Sequence, residues 1–273
     1  MIRRTLVTLL AVVVLASCAS AQGLKWQPGQ VLLYRVEHTT FASDARGDTK
    51  NETKSVLKLV RRWQATAVDA AGVATLQMSL TSMMQERTTP AGEVLRFDSA
   101  HPEQSTPQLK AMAGFLNKPL ATLRVDGLGK VVAVTQSVAD ASGYENELPF
   151  LAVLPGGALK PGQAWERSYK ITLAPPLGTG EKYDAVQRFT CKAVEGGLAR
   201  VALTTELKAP PKVPADAVPL WQMLPQGEVV FDLTAGRLHS AKLAINRELK
   251  GHQGEGSETK FRSTLVVTYA GAK

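Results

Sequence analysis

Residues 165–173 read WERSYKITL: Trp165, Arg167, Tyr169, Ile171 and Leu173 alternate with Glu166, Ser168, Lys170 and Thr172. Successive side chains of an extended strand point to opposite faces, so this spacing gathers the large apolar groups, with Arg167 among them, on one face and Glu166 and Lys170 on the other. The same period recurs in Ala74, Leu76, Met78, Leu80, Ser82 and Met84 against Thr75, Gln77, Ser79 and Thr81. It returns in Ala241, Leu243, Ile245 and Leu249, and in Phe261, Leu265, Val267 and Tyr269 between Lys260, Arg262, Thr264 and Thr268. One dry and one wet face is the habit of antiparallel meanders; the parallel sheets of nucleotide-binding folds are buried on both sides. The pattern predicts a mainly β protein.

Three segments break the alternation. Thr106-Pro107 offers a hydroxyl cap and a proline at the first helical position, and Leu109, Met112, Ala113 and Leu116 then share one helical face, so a helix is expected near 107–116. Residues 146–154, NELPFLAVL, form an apolar run closed by Pro155-Gly156-Gly157, expected to plug or bridge the flanking regions. Five prolines between Ala209 and Pro225 surround Leu220-Trp221-Gln222-Met223-Leu224 and predict an irregular loop with one helical turn.

Three blocks recur in the same order. Pro28-Gly29-Gln30 and Pro161-Gly162-Gln163 each precede an aromatic-bearing strand. Arg62 to Met83 overlays Gln187 to Lys208, with Trp63 on Phe189, Ala65 on Cys191, Val68 on Val194 and Asp69 on Glu195. Val125 to Val131, with Asp126 and Gly129, parallels Phe231 to Leu238, with Asp232 and Gly236. Ordered recurrence argues for internal repetition. The predicted organisation is a signal peptide at 1–21, a β repeat at 22–136 containing the helix, an apolar connector at 137–157 and a second β repeat at 158–273. The expected fold is two tandem antiparallel β-meander repeats making a curved sheet, half-barrel or sandwich with one or two short helices. Neither repeat has core enough to stand alone, so their dry faces should pack on each other or on the helices.

The chain of 273 residues carries 32 Lys and Arg against 24 Asp and Glu, a formal charge of +8, with 44% hydrophobic residues. This composition excludes disorder, collagen and coiled coil. Arg3, Arg4 and the apolar stretch Leu6 to Ala16 read as a signal peptide too short to span a bilayer. Two processing sites overlap there. Leu15-Ala16-Ser17-Cys18 resembles a bacterial lipobox, in which Cys18 would be lipidated; Ala19-Ser20-Ala21 fits cleavage before Gln22. Either cut removes two positive charges and leaves Cys191 as the only thiol, so no intrachain disulfide is expected.

Candidate chemistry is sparse. The segment APPLGTGEKY, Ala174 to Tyr183, lacks the GK[ST] ending and following helix of a phosphate loop and reads as a hairpin turn. His38, His101, His239 and His252 are not at metal-ligand spacing, so no metal and no cofactor are expected. Asp98, Ser99, His101 and Glu103 contain the residue types of a triad, but triads are assembled from distant segments, and a solvated loop is the favoured reading. Cys191, in the place of Ala65, reads as a small core residue. Lys50, Lys54, Lys58, Arg61 and Arg62 form the densest basic group, read as a solvated sheet face rather than a nucleic-acid stripe.

The order of signal peptide, PGQ strand, RRWQATAVDAAG hairpin, GEVLRFDS segment, VDGLGKV turn, LPGGALKPGQAW and GEVVFDLTAGRL resembles a family of exported bacterial proteins, a domain of unknown function. The resemblance covers most of the mature chain and rests on structural turns, so it implies fold and export rather than activity. The architecture alone is also similar to the half-barrels of periplasmic lipoprotein carriers, which implies acyl-chain binding on a concave sheet but transfers no residue. Together these predict an exported, non-catalytic protein of the periplasm or outer envelope. It would bind an apolar or amphipathic ligand such as lipid, with inward methionines Met78, Met83, Met84, Met112 and Met223. The alternatives are an interaction lipoprotein without a pocket, whose partner is an envelope protein, and a hydrolase with a spatially assembled site. No nucleic acid partner is expected, membrane contact runs only through Cys18, and the oligomeric state stays open.

Overall fold

The computed structural model describes residues 23–138, 143–144, 147–175 and 177–271; the expected signal peptide, Cys18 and both expected cut sites lie outside the described residues. The alternating stretches become strands β1 Val31–Arg46, β2 Thr49–Val68, β3 Ala74–Thr88, β4 Val94–Asp98, β5 Ala121–Val125 and β6 Val131–Ser137. After the connector come β7 Ala164–Leu173, β8 Glu181–Glu195, β9 Leu198–Leu207, β10 Gln226–Asp232, β11 Arg237–Lys250 and β12 Glu258–Gly271. All twelve belong to one open sheet in the order β6-β5-β3-β2-β1-β12-β11-β10-β9-β8-β7, with β4 paired to the second half of β3. Every named pairing is antiparallel.

The repetition is visible in the hydrogen bonds. Across the sheet, β1, β2, β3, β5 and β6 stand six positions from β7, β8, β9, β10 and β11, in the same order and strand sense. In the first half the Gly29 N–H donates to the Ala65 carbonyl at 2.7 Å and the Ala65 N–H to the Gln30 carbonyl at 2.9 Å. In the second, Gly162 donates to Cys191 and Cys191 to Gln163, both at 2.8 Å. A β-bulge follows each time, between Ala65 and Ala67 and between Cys191 and Ala193. A bulge re-aims all later residues of its strand, so its repetition fixes which side chains reach the core in both halves. The aspartate turns match as well: Asp126 Oδ1 accepts from the Leu128 and Lys130 N–H groups, and Asp232 Oδ1 from that of Ala235. The two halves meet where β1 pairs with β12, and there the Tyr34 hydroxyl donates to the Leu238 carbonyl at 3.2 Å.

One face of the sheet is covered and the other is wet. The connector lies on the covered face, with Leu148, Phe150, Leu151 and Leu154 buried and Phe150 edge-on to Trp63 at 4.9 Å between centroids. Trp165 Nε1 donates to the Val153 carbonyl at 2.8 Å, tying the connector to β7. The proline-rich segment is a 3₁₀ helix, Pro214–Met223, whose Leu220 packs with Leu224 on Ile171, Leu173 and Ala185 of the same face. On the wet face, Lys170–Asp184 and Arg200–Glu228 pair across strands, at exposures where such pairs contribute little.

Two local expectations need correction. The segment Pro107–Phe115 is 3₁₀ rather than α, with none of its residues buried, and the Thr106 hydroxyl does not cap it. That hydroxyl accepts from the Arg96 N–H at 2.8 Å, so the cap atom is held by β4. Met84 is not inward: Thr81 is an extra residue between the Leu80–Arg61 and Ser82–Val60 pairs, so beyond it Met83, Gln85 and Arg87 take the covered face.

Candidate ligand-binding groove

The connector and the 3₁₀ helix Pro214–Met223 do not cover their face completely. Register defines what is left bare. His38 of β1 stands between Leu57 of β2 and Leu265 of β12, and Leu265 pairs with Leu243 of β11. The next row outward is Ser55, Thr40, Ser263 and Ile245, and beyond it lie Thr53, Ala42, Phe261 and Arg247. An inner cavity of about 130 Å³ is lined by His38, Leu151, Met223, Leu243, Ile245 and Leu265 among others. An outer cavity of about 650 Å³ adjoins it, with Gln222 lining both and Thr40, Ser55, Gln85, Arg87 and Phe261 on its walls. The outer volume lies within the roughly 300–1,000 Å³ of small-molecule sites.

One polar cluster interrupts the apolar floor. His38 Nε2 shares a hydrogen bond with Ser263 Oγ at 2.7 Å, and Thr40 Oγ1 lies 3.4 Å from the same nitrogen. Burial pushes the His38 pKa below the usual imidazole value, favouring the neutral ring. Neutral histidine beside a serine hydroxyl has the reach of a base–nucleophile pair. However, β12 is paired on both sides, with β1 and β11, so the amides around Ser263 serve the ladders and supply no oxyanion hole. The arrangement is suited to hydrogen-bonding a ligand within an apolar groove. His38 and Ser263 are 225 positions apart; only the phase of His38 with Tyr34 and Val36 marks it as inward in the sequence.

The other candidates are dispersed. Asp98 accepts from the Ala100 N–H and pairs with Arg96 at 3.2 Å, and these contacts, the Ala100 bond first, hold its pKa down. Ser99 Oγ accepts from the Met83 N–H, while His101 faces Glu103 at 3.6 Å in the exposed loop. Ser99 and His101 thus have separate partners, while the His101 charge also acts on Asp98. Cys191 is fully buried and burial pushes its thiol pKa up. Of the basic group, Lys50 pairs with Glu52 and Arg62 with the Gln64 side chain, whereas Arg61 turns into the covered face toward Glu147. Among the described residues no group of three His, Cys, Asp or Glu could hold a metal, and no helix is long and apolar enough to cross a membrane.

A solved protein shares this sheet. The chain is similar to lipovitellin, described for its lipid–protein interactions, at a TM-score of 0.53 and 12% identity over 90% of this chain and 26% of lipovitellin. The chain thus spans about a quarter of that protein, and the likeness concerns fold alone. Two further structures are similar only at TM-scores too low to carry an argument. DynF of Micromonospora chersina has a TM-score of 0.20 and 8% identity, over 97% of this chain and 92% of its own. The MucA/MucB complex of Pseudomonas aeruginosa has a TM-score of 0.13 and 9% identity, over 86% of this chain and 88% of the matched one. No protein-family model matches the chain, and no curated protein sequence matches it. The resemblance to a family of exported proteins therefore rests on the motifs quoted above.

Proposed function

We propose that the protein is an exported, non-catalytic component of the cell envelope that holds an apolar or amphipathic ligand in the groove between connector, 3₁₀ helix and sheet. The observation that carries this reading is the bare stretch of covered face, where Leu243, Ile245 and Leu265 floor a cavity left open beside Leu151 and Met223. The lipovitellin-like sheet supports an architecture able to offer such a face. Signal-peptide cleavage and acylation of Cys18 would tether the domain to a membrane, and the residue blocks 22–136 and 158–273 are read as the two repeats. Native mass spectrometry of protein purified from its own host should show a co-purifying lipid mass, and a bound fluorescent fatty acid should be displaced by added lipid. Absence of both would sink the ligand reading. Palmitate labelling of the whole cell should mark the wild-type protein and vanish on Cys18→Ser; labelling that never occurs removes the anchor.

A further inference from the structure

We infer that the groove takes a single-chain amphiphile with an anionic head, a long-chain carboxylate, with the head between Arg87 and Arg247 and the chain directed toward Leu243 and Leu265. This rests on the groove reading above and adds the ligand's charge and direction. Three observations support it.

First, the floor has polarity along its length. The inner cavity is walled by Leu151, Met223, Leu243, Ile245 and Leu265, with His38 and Ser263 bonded to each other, whereas the outer cavity carries Thr40, Ser55, Gln85 and Arg87. A chain seats in the first without leaving polar groups unmet, while a charged head there would be desolvated with no cation facing it. Second, arginines flank the outer floor: Arg87 lines the outer cavity, and Arg247 stands one strand beyond its Phe261 wall. Arg87 pairs with Ser55, placed on this face by the extra residue Thr81; on the other side Arg247 pairs with Phe261. Neither forms an ion pair among the described residues. Guanidinium groups offer a planar fork of donors that matches a carboxylate. Third, no Asp or Glu lines either cavity. The acid further out along β1, Asp44, accepts a hydrogen bond from the Thr259 hydroxyl at 2.6 Å, one row beyond Ala42.

The test uses cis-parinaric acid bound to the full mature protein and displaced by hexadecanoate, hexadecanol or hexadecyltrimethylammonium, each below its micellar concentration. Hexadecanoate should displace the probe at concentrations about tenfold lower than the alcohol, the scale of one charge-assisted hydrogen bond, and the cation should be weakest. Arg87→Glu with Arg247→Glu should weaken the anionic probe itself and abolish the preference for the acid, so that hexadecanoate displaces the remaining probe no better than hexadecanol. Both arginines are exposed, and an unchanged thermal midpoint shows that the fold survives the substitutions. Equal displacement by all three amphiphiles, or an acid preference that persists in the double variant, overturns the inference and leaves the groove reading standing. No uptake of parinaric acid by the wild type overturns both.

Discussion

Arg61 sends its guanidinium into the covered face, where Nη1 meets Glu147 at 2.8 Å and the Leu148 carbonyl at 3.1 Å. Truncation would leave that carbonyl without its charged donor, so Arg61→Ala should lower stability by about 2 kcal/mol in urea unfolding. Arg61→Met, which keeps the stem's packing, should cost less. At the opposite extreme of size, Gly236 sits at φ +63° with its carbonyl accepting from the Lys25 N–H at 2.8 Å. A Cβ there would lie 2.7 Å from that nitrogen. Gly236→Ala should therefore cost more than about 1 kcal/mol and speed hydrogen exchange at the Lys25 amide. His38 gives a pH dependence. Its folded pKa lies below the unfolded value, so the unfolded chain binds the extra proton first as pH falls. Stability from this residue is complete above the unfolded pKa of about 6.5 and declines below it. The thermal midpoint should drop less between pH 7 and pH 5.5 in His38→Gln than in the wild type.

Among the elements, the strands were legible because period two is a property of the chain itself. Their faces were legible only as far as the first bulge. Thr81 carries no compositional mark of an inserted residue, so alternation run through it assigns Met84 inward beside Met83 and hides Arg87 from the groove. The segment Pro107–Phe115 fails differently: its apolar spacing is helical, but no dry surface is available to it, and Phe115 remains 49% exposed. The connector was readable as a plug because its apolar run has nowhere else to go. Its central contact is Phe150 on Trp63, both nearly inaccessible at 1% and 2% exposure. Phe150→Ala should destabilise by about 3–5 kcal/mol in equilibrium unfolding, with a change in tryptophan emission. A loss under about 1 kcal/mol would mean that the connector rests on the sheet without holding it.

At the scale of the whole molecule, the sequence blocks announced repetition but not the six-position shift that relates the halves. Alternation tells each strand which way its side chains face and nothing about its neighbours, so the union of β1 with β12 had no local signature. The groove is a product of that union: His38 and Thr40 come from one half, Ser263 and Phe261 from the other. Its chemistry was correspondingly invisible to motif reading, which saw only a lone histidine and scattered arginines. The N-terminal segment brings a consequence of a different kind. The Leu24 N–H bonds to Gly127 and the Lys25 N–H to Gly236, so the chain is stapled to the aspartate turns of both halves. Five peptide steps lead from Cys18 to Gly23 and reach at most about 18 Å fully extended. With an acyl chain on Cys18, such a short leash would hold the aspartate-turn end against the bilayer. The β1–β2 and β11–β12 hairpins, and the outer cavity beside them, would then face away from it. A protein tethered in this way would open its groove away from the leaflet that holds it.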